Sequence, residues 1–212
     1  MRPVNELIDD LRKRRVIIGP DHFVLGDGYG NPDMHASLFV VGRRLYKATD
    51  LWGECILRIA DRIGDREFDM IVTPDEQSIP SARILAKALA ADSGTSCIPV
   101  YSMSNARHLP EKSGRVLIHD DVVNRGRQIL QVLQWMDEER HNPIGISCLF
   151  TRTEEPELHG LPLFCAVDRV LTSVHPNDCP LCRERKPINT LFGKGALYCV
   201  EQGDVPPKAH GM

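Results

Sequence analysis

Apolar positions along the chain follow two rhythms. Between 4 and 15, Val4, Leu7, Ile8 and Leu11 recur at helical spacing with charges between them, predicting a short amphipathic helix. From 47 to 63, Leu51, Cys55, Ile59 and Ile63 recur every four positions and predict a second helix. Between the two, HFVLGDGYGNPD (22–33) reads as a short strand and a turn-rich loop, because Gly28, Gly30, Asn31 and Pro32 favour turn geometry. Residues 36–42, ASLFVVG, read as a further strand. Beyond 64 the rhythm changes. Apolar runs at 68–72, 97–103, 115–119, 144–150 and 163–171 predict strands. A helix from about Pro80 to Ala91 opens on a proline suited to a first turn. Another carries Ile129, Leu130, Leu133 and Met136 on one face. Strand-length apolar runs alternating with amphipathic helices predict an α/β fold, a doubly wound parallel sheet over about 65–172. Residues 1–45 are expected to form an N-terminal helix and hood, 46–175 the α/β core, and 176–212 a C-terminal tail frayed over its last ten residues.

Charge and cysteine usage narrow the class. The 212 residues hold 26 basic and 29 acidic side chains, a net charge of −3, without the basic excess that drives non-specific nucleic-acid binding. No stretch has the apolar length of a membrane span. The opening MRPVNELIDDLRKRRV carries acids and lacks a signal-peptide apolar run. Seven cysteines are too few and too odd in number for a secreted disulfide framework, so a cytoplasmic location is expected. Cys179-Pro-Leu-Cys182 has the spacing of half a zinc site. His175 is the nearest further ligand in sequence, and Cys165 or Cys199 can join by folding; a reduced, packed pair is the alternative. Cys55, Cys97 and Cys148 lie on apolar faces and read as core.

Ligands of parallel sheets bind beyond the carboxyl ends of the strands. The informative loops therefore follow Val72, Met103, His119 and Phe150. At the third, VLIH is followed by Asp120 and Asp121, then Val122, Val123, Asn124, Arg125, Gly126, Arg127 and Gln128. Two carboxylates at a strand end can hold ribose hydroxyls or Mg²⁺-bound water, and the amides opening the next helix can hold a phosphate. The alternative is an ordinary helix cap with solvated acids.

That segment resembles the phosphoribosyl pyrophosphate (PRPP) signature of type I phosphoribosyltransferases. HFVLGDGYG (22–30), FDMIVTPDEQSIPSARILAKAL (68–89), TRTEE (151–155) and HPNDCPLCRERKPI (175–188) resemble, in order, the base-pocket segment, pyrophosphate loop, base-binding segment and Cys-Pro-Leu-Cys tail of orotate phosphoribosyltransferases. The resemblance implies transfer of ribose 5-phosphate between PRPP and a base with Mg²⁺, by a homodimer. It places Asp120 and Asp121 on the ribose, and Asn124, Arg125, Gly126, Arg127 and Gln128 on the 5-phosphate. It also places Thr73 and Ser78 in the pyrophosphate loop, Arg107 and Lys112 on leaving pyrophosphate, and Arg152 on an acidic base. A surface Arg152 paired with Glu154 or Glu155 is the alternative. Two departures stand out. The phosphate turn keeps one small residue, Gly126, between two arginines. The pyrophosphate loop carries Asp75 and Glu76, which repel the anion unless Mg²⁺ or a basic residue intervenes. A second reading follows: a repurposed fold serving as a nucleotide-binding regulator or as an effector subunit of a larger protein assembly.

Overall fold

The apolar runs beyond residue 64 do form strands, and amphipathic helices cover both faces of the sheet they build. A computed structural model describes residues 1–26, 32–93, 97–104, 109–168 and 171–203. The N-terminal part holds α1 (Val4–Lys13), β1 (Ile17–Ile18), β2 (Phe23–Gly26), β3 (Pro32–Ala36), β4 (Phe39–Val40) and α2 (Gly42–Leu45). The core follows with α3 (Thr49–Ile63), β5 (Met70–Thr73), α4 (Ile79–Ser93), β6 (Val100–Ser102) and β7 (Arg115–Val123). It continues through α5 (Arg127–Glu138), β8 (Asn142–Thr151), β9 (Glu157–Leu158) and β10 (Leu161–Val167). A 3-10 turn (Pro176–Asp178), α6 (Pro180–Arg183) and α7 (Gly195–Glu201) end it.

The main sheet has the order β6-β5-β7-β8-β10-β9. All its pairs are parallel except β9 with β10. Strand alternation divides its side chains between two apolar layers. Leu117, Leu149 and Phe164 pack under α1, α3 and α4 with Leu11, Ile59 and Leu85. Val116, Ile118 and Ile146 pack under α5 with Ile129, Val132 and Met136. Each such aliphatic side chain contributes roughly 1.5–3 kcal/mol when fully buried. Among the described residues, no helix is long and apolar enough to cross a membrane.

Several expected boundaries move. The run 36–42 is not one strand: β3 ends at Ala36, and β4 pairs separately with β1, Ile17 opposite Val40. An apolar run carries no mark of a change of partner, so the break at Ser37 and Leu38 was not visible. β3 starts at Pro32, where a loop was expected, while 27–31 of that loop lie outside the described residues. β7 runs past His119 to Val123, because β8 continues beside it to the pair Val123–Thr151. The last strand stops at Val167 rather than 171. Leu130 points outward at 42% exposure, since Ile129, Val132 and Met136 already fill the inner face of α5. Cys97 is exposed, not core. Of the frayed end expected over 203–212, all but Gly203 lies outside the described residues.

The hood is completed by the C-terminal segment. The Asn189 amide donates to the His22 carbonyl, and the Lys194 amide to the Val24 carbonyl, both at 2.7 Å. His35 and Val174 exchange backbone hydrogen bonds of 2.8 Å in each direction.

Candidate active site at the carboxyl edge of the sheet

Strand order reverses between β5 and β7: the chain goes from β5 outward to β6, then returns to place β7 on the other flank of β5. Such a switch point opens a crevice beyond the strand ends. Two loops border it, 74–78 after β5 and 124–126 after β7.

Alternation along β7 sends Asp120 to the α5 side and Asp121 to the α4 side. Asp120 is 5% exposed. Its Oδ1 accepts from Ser78 Oγ at 3.0 Å and from the Asp121 amide at 2.8 Å. Burial, then the charge of Asp121, raises the Asp120 carboxyl well above the ordinary carboxylate range, against those two hydrogen bonds. Burial also raises Asp121, followed by the charge of Asp75. The two titrate as a pair. Behind them His119 is fully buried between Ser147 Oγ and Ser81 Oγ, each 2.9 Å away. Burial pushes its pKa down to about 3, so the imidazole is neutral.

The loop after β5 closes on itself. Thr73 Oγ1 donates to the Asp75 carbonyl at 2.7 Å. Asp75 Oδ1 accepts from the Gln77 amide at 2.9 Å and the Ser78 amide at 3.3 Å. The chain's own carboxylate thus takes the loop amides that would otherwise face an anion. Glu76 points to solvent. Tyr46 closes this side, its hydroxyl donating to the Gln77 carbonyl at 3.2 Å. Burial and then the charge of Asp121 push the Tyr46 phenol upward.

The loop after β7 is built differently. Gly126 adopts a left-handed backbone, φ 72°, and opens α5 without a side-chain cap. A Cβ there would lie 2.6 Å from Leu158 Cδ2 and 3.0 Å from His159 Nε2. His159 Nε2 lies 3.0 Å from the Gly126 carbonyl, so that nitrogen carries the proton. Asp120, Asn124, Gly126 and Gln128 line a cavity of about 20 Å³ with Gly26 and Met34 of the hood. By itself that volume holds one water. It adjoins an open cleft of about 490 Å³ lined by Arg125, Arg127, Arg152 and Asn124. Arg152 is anchored in the cleft wall. It donates from Nε to Asn124 Oδ1, from Nη1 to the Thr172 carbonyl and from Nη2 to the Leu38 carbonyl, each at 3.0 Å. Burial lowers its pKa to about 10, which leaves it charged at neutral pH.

No family model matches the chain. Its sequence is 21% identical over 174 residues to an orotate phosphoribosyltransferase of Caldicellulosiruptor bescii, covering 79% of this chain and 86% of that protein. The structure is similar to orotate phosphoribosyltransferase from Aeropyrum pernix, with a TM-score of 0.57 and 18% identity over 76% of this chain and 93% of that one. It is also similar to adenine phosphoribosyltransferase from Trypanosoma brucei, solved with AMP, pyrophosphate and ribose-5-phosphate. There the TM-score is 0.53 and the identity 12%, over 79% of this chain and 80% of the other. The fold is that of the type I phosphoribosyltransferases.

Within the phosphoribosyltransferase fold, Asp120, Asp121, Thr73, Ser78, Arg152 and the 124–128 turn gather at one crevice. Lys112 does not join them. It is exposed just before β7, where its charge acts on Asp69 at the amino end of β5. A connection that climbs from the carboxyl end of one parallel strand must descend to the amino end of the next, and Lys112 lies at the bottom. Arg107 and His108 lie outside the described residues. Arg152 spends its donors on Asn124 and two carbonyls rather than on Glu154 or Glu155.

The sulfur ligands also find unexpected company. His22, His35, Cys179 and Cys182 bring their ligand atoms within 4.8 Å of one another. His175 is not among them: it is exposed, and its Nδ1 accepts from the Asn177 amide at 3.3 Å, capping the 3-10 turn. Cys165 Sγ donates to the Leu149 and Val167 carbonyls inside the sheet. Sequence reasoning passed over His22, His35, Tyr46 and His159. Both hood histidines sit beside apolar residues, His22 before Phe23 and His35 between Met34 and Ala36. A polar ring inside a buried strand asks for a partner, and that was the available signal.

Proposed function

We propose that the protein is a phosphoribosyltransferase acting on PRPP and a base bearing an acidic group. One observation carries the reading. A buried carboxyl, Asp120, lies near the carboxyl end of β7, and the left-handed Gly126 opens α5 just beyond it, beside a cleft lined by Arg125, Arg127 and Arg152. Ribose hydroxyls meet the carboxyl pair while the 5-phosphate meets the helix N-terminus and its positive dipole end. A base nitrogen then forms the new bond to ribose C1 as the bond from C1 to pyrophosphate oxygen breaks, and pyrophosphate leaves with that electron pair. Asp120 and Asp121 fix the ribose and offset positive charge developing on it. Arg152, held by three acceptors and charged at neutral pH, faces the acidic group of the base. Beyond burial, the charges of Asp121 and Asp75 raise the Asp120 pKa, and that of Asp75 raises the Asp121 pKa. That hard-oxygen set fits Mg²⁺, whose chemistry when bound is to neutralise pyrophosphate. The T. brucei relative, solved with AMP, pyrophosphate and ribose-5-phosphate, supports this ligand class. The family resemblance supports a homodimer, and the cysteine usage a cytoplasmic location.

A second reading, nucleotide binding without transfer, is favoured by Asp75, which already holds two amides of the pyrophosphate loop. Incubation with Mg²⁺, PRPP and orotate, followed by orotate absorbance and calorimetry, separates the two. Orotate consumption supports the transferase. Heat of PRPP or nucleotide binding without consumption supports the regulator, and neither signal would sink both.

A further inference from the structure

Four soft or borderline ligands converge beneath the hood, away from the crevice. His22 Nε2 lies 2.9 Å from His35 Nδ1. Cys179 Sγ and Cys182 Sγ each lie 3.6 Å from His22 Nε2. Cys182 Sγ lies 3.1 Å from His35 Nδ1. A tetrahedral zinc with Zn–N of about 2.0–2.1 Å and Zn–S of about 2.3 Å requires ligand atoms roughly 3.3–3.8 Å apart. The two separations of 3.6 Å fall in that range, those of 2.9 and 3.1 Å are somewhat shorter, and all four ligand atoms lie within 4.8 Å of one another. His22, His35 and Cys179 are at most 1% exposed.

The surroundings prepare these atoms as ligands. His22 Nδ1 donates to the Lys186 carbonyl at 2.8 Å, which leaves Nε2 bare and aimed at the cluster. The His35 backbone is fixed by both hydrogen bonds to Val174. Cys179 and Cys182 bracket the start of α6, and both are free thiols. A set of two sulfurs and two imidazoles in tetrahedral array selects zinc over magnesium or calcium, which prefer oxygen.

We propose that His22, His35, Cys179 and Cys182 form a structural zinc centre that clamps the β2–β3 hairpin to the C-terminal segment. Its position gives it a consequence at the crevice. Gly26 ends β2 and Met34 lies in β3, and both line the cavity beside Asp120. The metal therefore holds the hood wall of the ligand site in place without touching a ligand. This inference is independent of the transferase reading, since a binding protein would need the same wall.

Metal analysis of the full chain, purified without chelator from a reducing cytoplasm, tests it. About one zinc per chain is expected, the loading of a closed four-ligand site. Cobalt replacement should give the visible bands of a tetrahedral site with thiolate charge transfer. A strong chelator should lower the melting midpoint, and zinc but not magnesium should restore it. Cys182→Ser should lose most of the metal, while Cys97→Ser, an exposed cysteine outside the cluster, should keep it. If Cys182→Ser fails to fold, the cobalt spectrum and chelator melt of the natural chain decide. Absence of zinc before and after zinc addition would overturn the proposal, as would a Cys179–Cys182 disulfide in the purified protein. Metal retained in Cys182→Ser would overturn the ligand set.

Discussion

The loops after β5 and β7 lie side by side at one edge of the sheet and treat an incoming anion in opposite ways. After β5, Asp75 folds back and takes the Gln77 and Ser78 amides for itself. After β7, Gly126 turns the chain through a left-handed conformation and leaves the head of α5 without a side-chain cap. One loop carries its own carboxylate; the other is the one that receives the 5-phosphate in the proposed function. The contrast extends to charge. Asp75 raises the pKa of Asp121 across the crevice, whereas Arg125, Arg127 and Arg152 line the cleft beside Gly126. A single fold thus pairs a loop whose amides are held by its own carboxylate with a loop flanked by arginines.

Replacing the buried carboxyl at the hinge of this contrast should have the largest effect. Asp120→Asn is expected to lower transfer by about 10²-fold or more, the usual scale for a group that contacts the reacting centre, read from orotate consumption. It also has a pH signature. The folded state holds the Asp120 proton more tightly than the unfolded chain, whose value is near 3.8. Stability from this group is therefore full below that value and lost as pH rises through the folded value. Asparagine removes the loss and still accepts from Ser78 and the Asp121 amide. The variant should melt at or above the natural chain at pH 8, and with it at pH 3.5. An unchanged pH dependence of the melting midpoint would contradict a buried, proton-holding Asp120.

The next effect is on the open loop. Gly126→Ala puts a Cβ 2.6 Å from Leu158 and strains a φ of 72°. A loss of about 1–3 kcal/mol in urea unfolding is expected, together with weaker binding of a 5-phosphate ligand by calorimetry. Phosphate affinity equal to that of the natural chain would place the phosphate elsewhere. The smallest effect belongs to the closed loop. Asp75→Asn keeps an oxygen for the two amides but removes the charge, so stability should shift by no more than about 1 kcal/mol. Pyrophosphate should bind more tightly, with a lower dissociation constant in isothermal titration. Weaker pyrophosphate binding would mean that Asp75 serves as a partner of Mg²⁺ rather than as a stand-in for the anion.

The sheet was legible because strands buried on both faces are written as unbroken apolar runs. The acid pair stood out only through the family signature around it, since two carboxylates at a strand end read equally well as a helix cap with solvated acids. The hood was not, since β1 and β4 are two residues each and cannot show a period. Arg152 lies in the cleft wall, and its anchors, the Leu38 and Thr172 carbonyls, come from distant segments that its own neighbours do not announce. The same applies to the sulfur pair. Cys179 and Cys182 could be paired by spacing, yet their imidazole neighbours lie on the hood, about 150 residues earlier by sequence number. His175 was nearer in sequence and faces water instead. Leu130 shows the limit of periodicity on a helix whose buried stripe is already full.

The docking of residues 186–194 onto β2 also sets a timetable for making the protein. His22 meets the Lys186 carbonyl across a sequence separation of 164 residues. On a ribosome adding roughly 5–20 residues per second, the hood strands emerge many seconds before the segment that completes them. The parallel sheet can form in that interval from neighbours already made, while β2 waits with an open edge of the kind that pairs with other chains. The hood is therefore the last part to assemble, and a chain cut short before residue 186 would leave that edge permanently exposed.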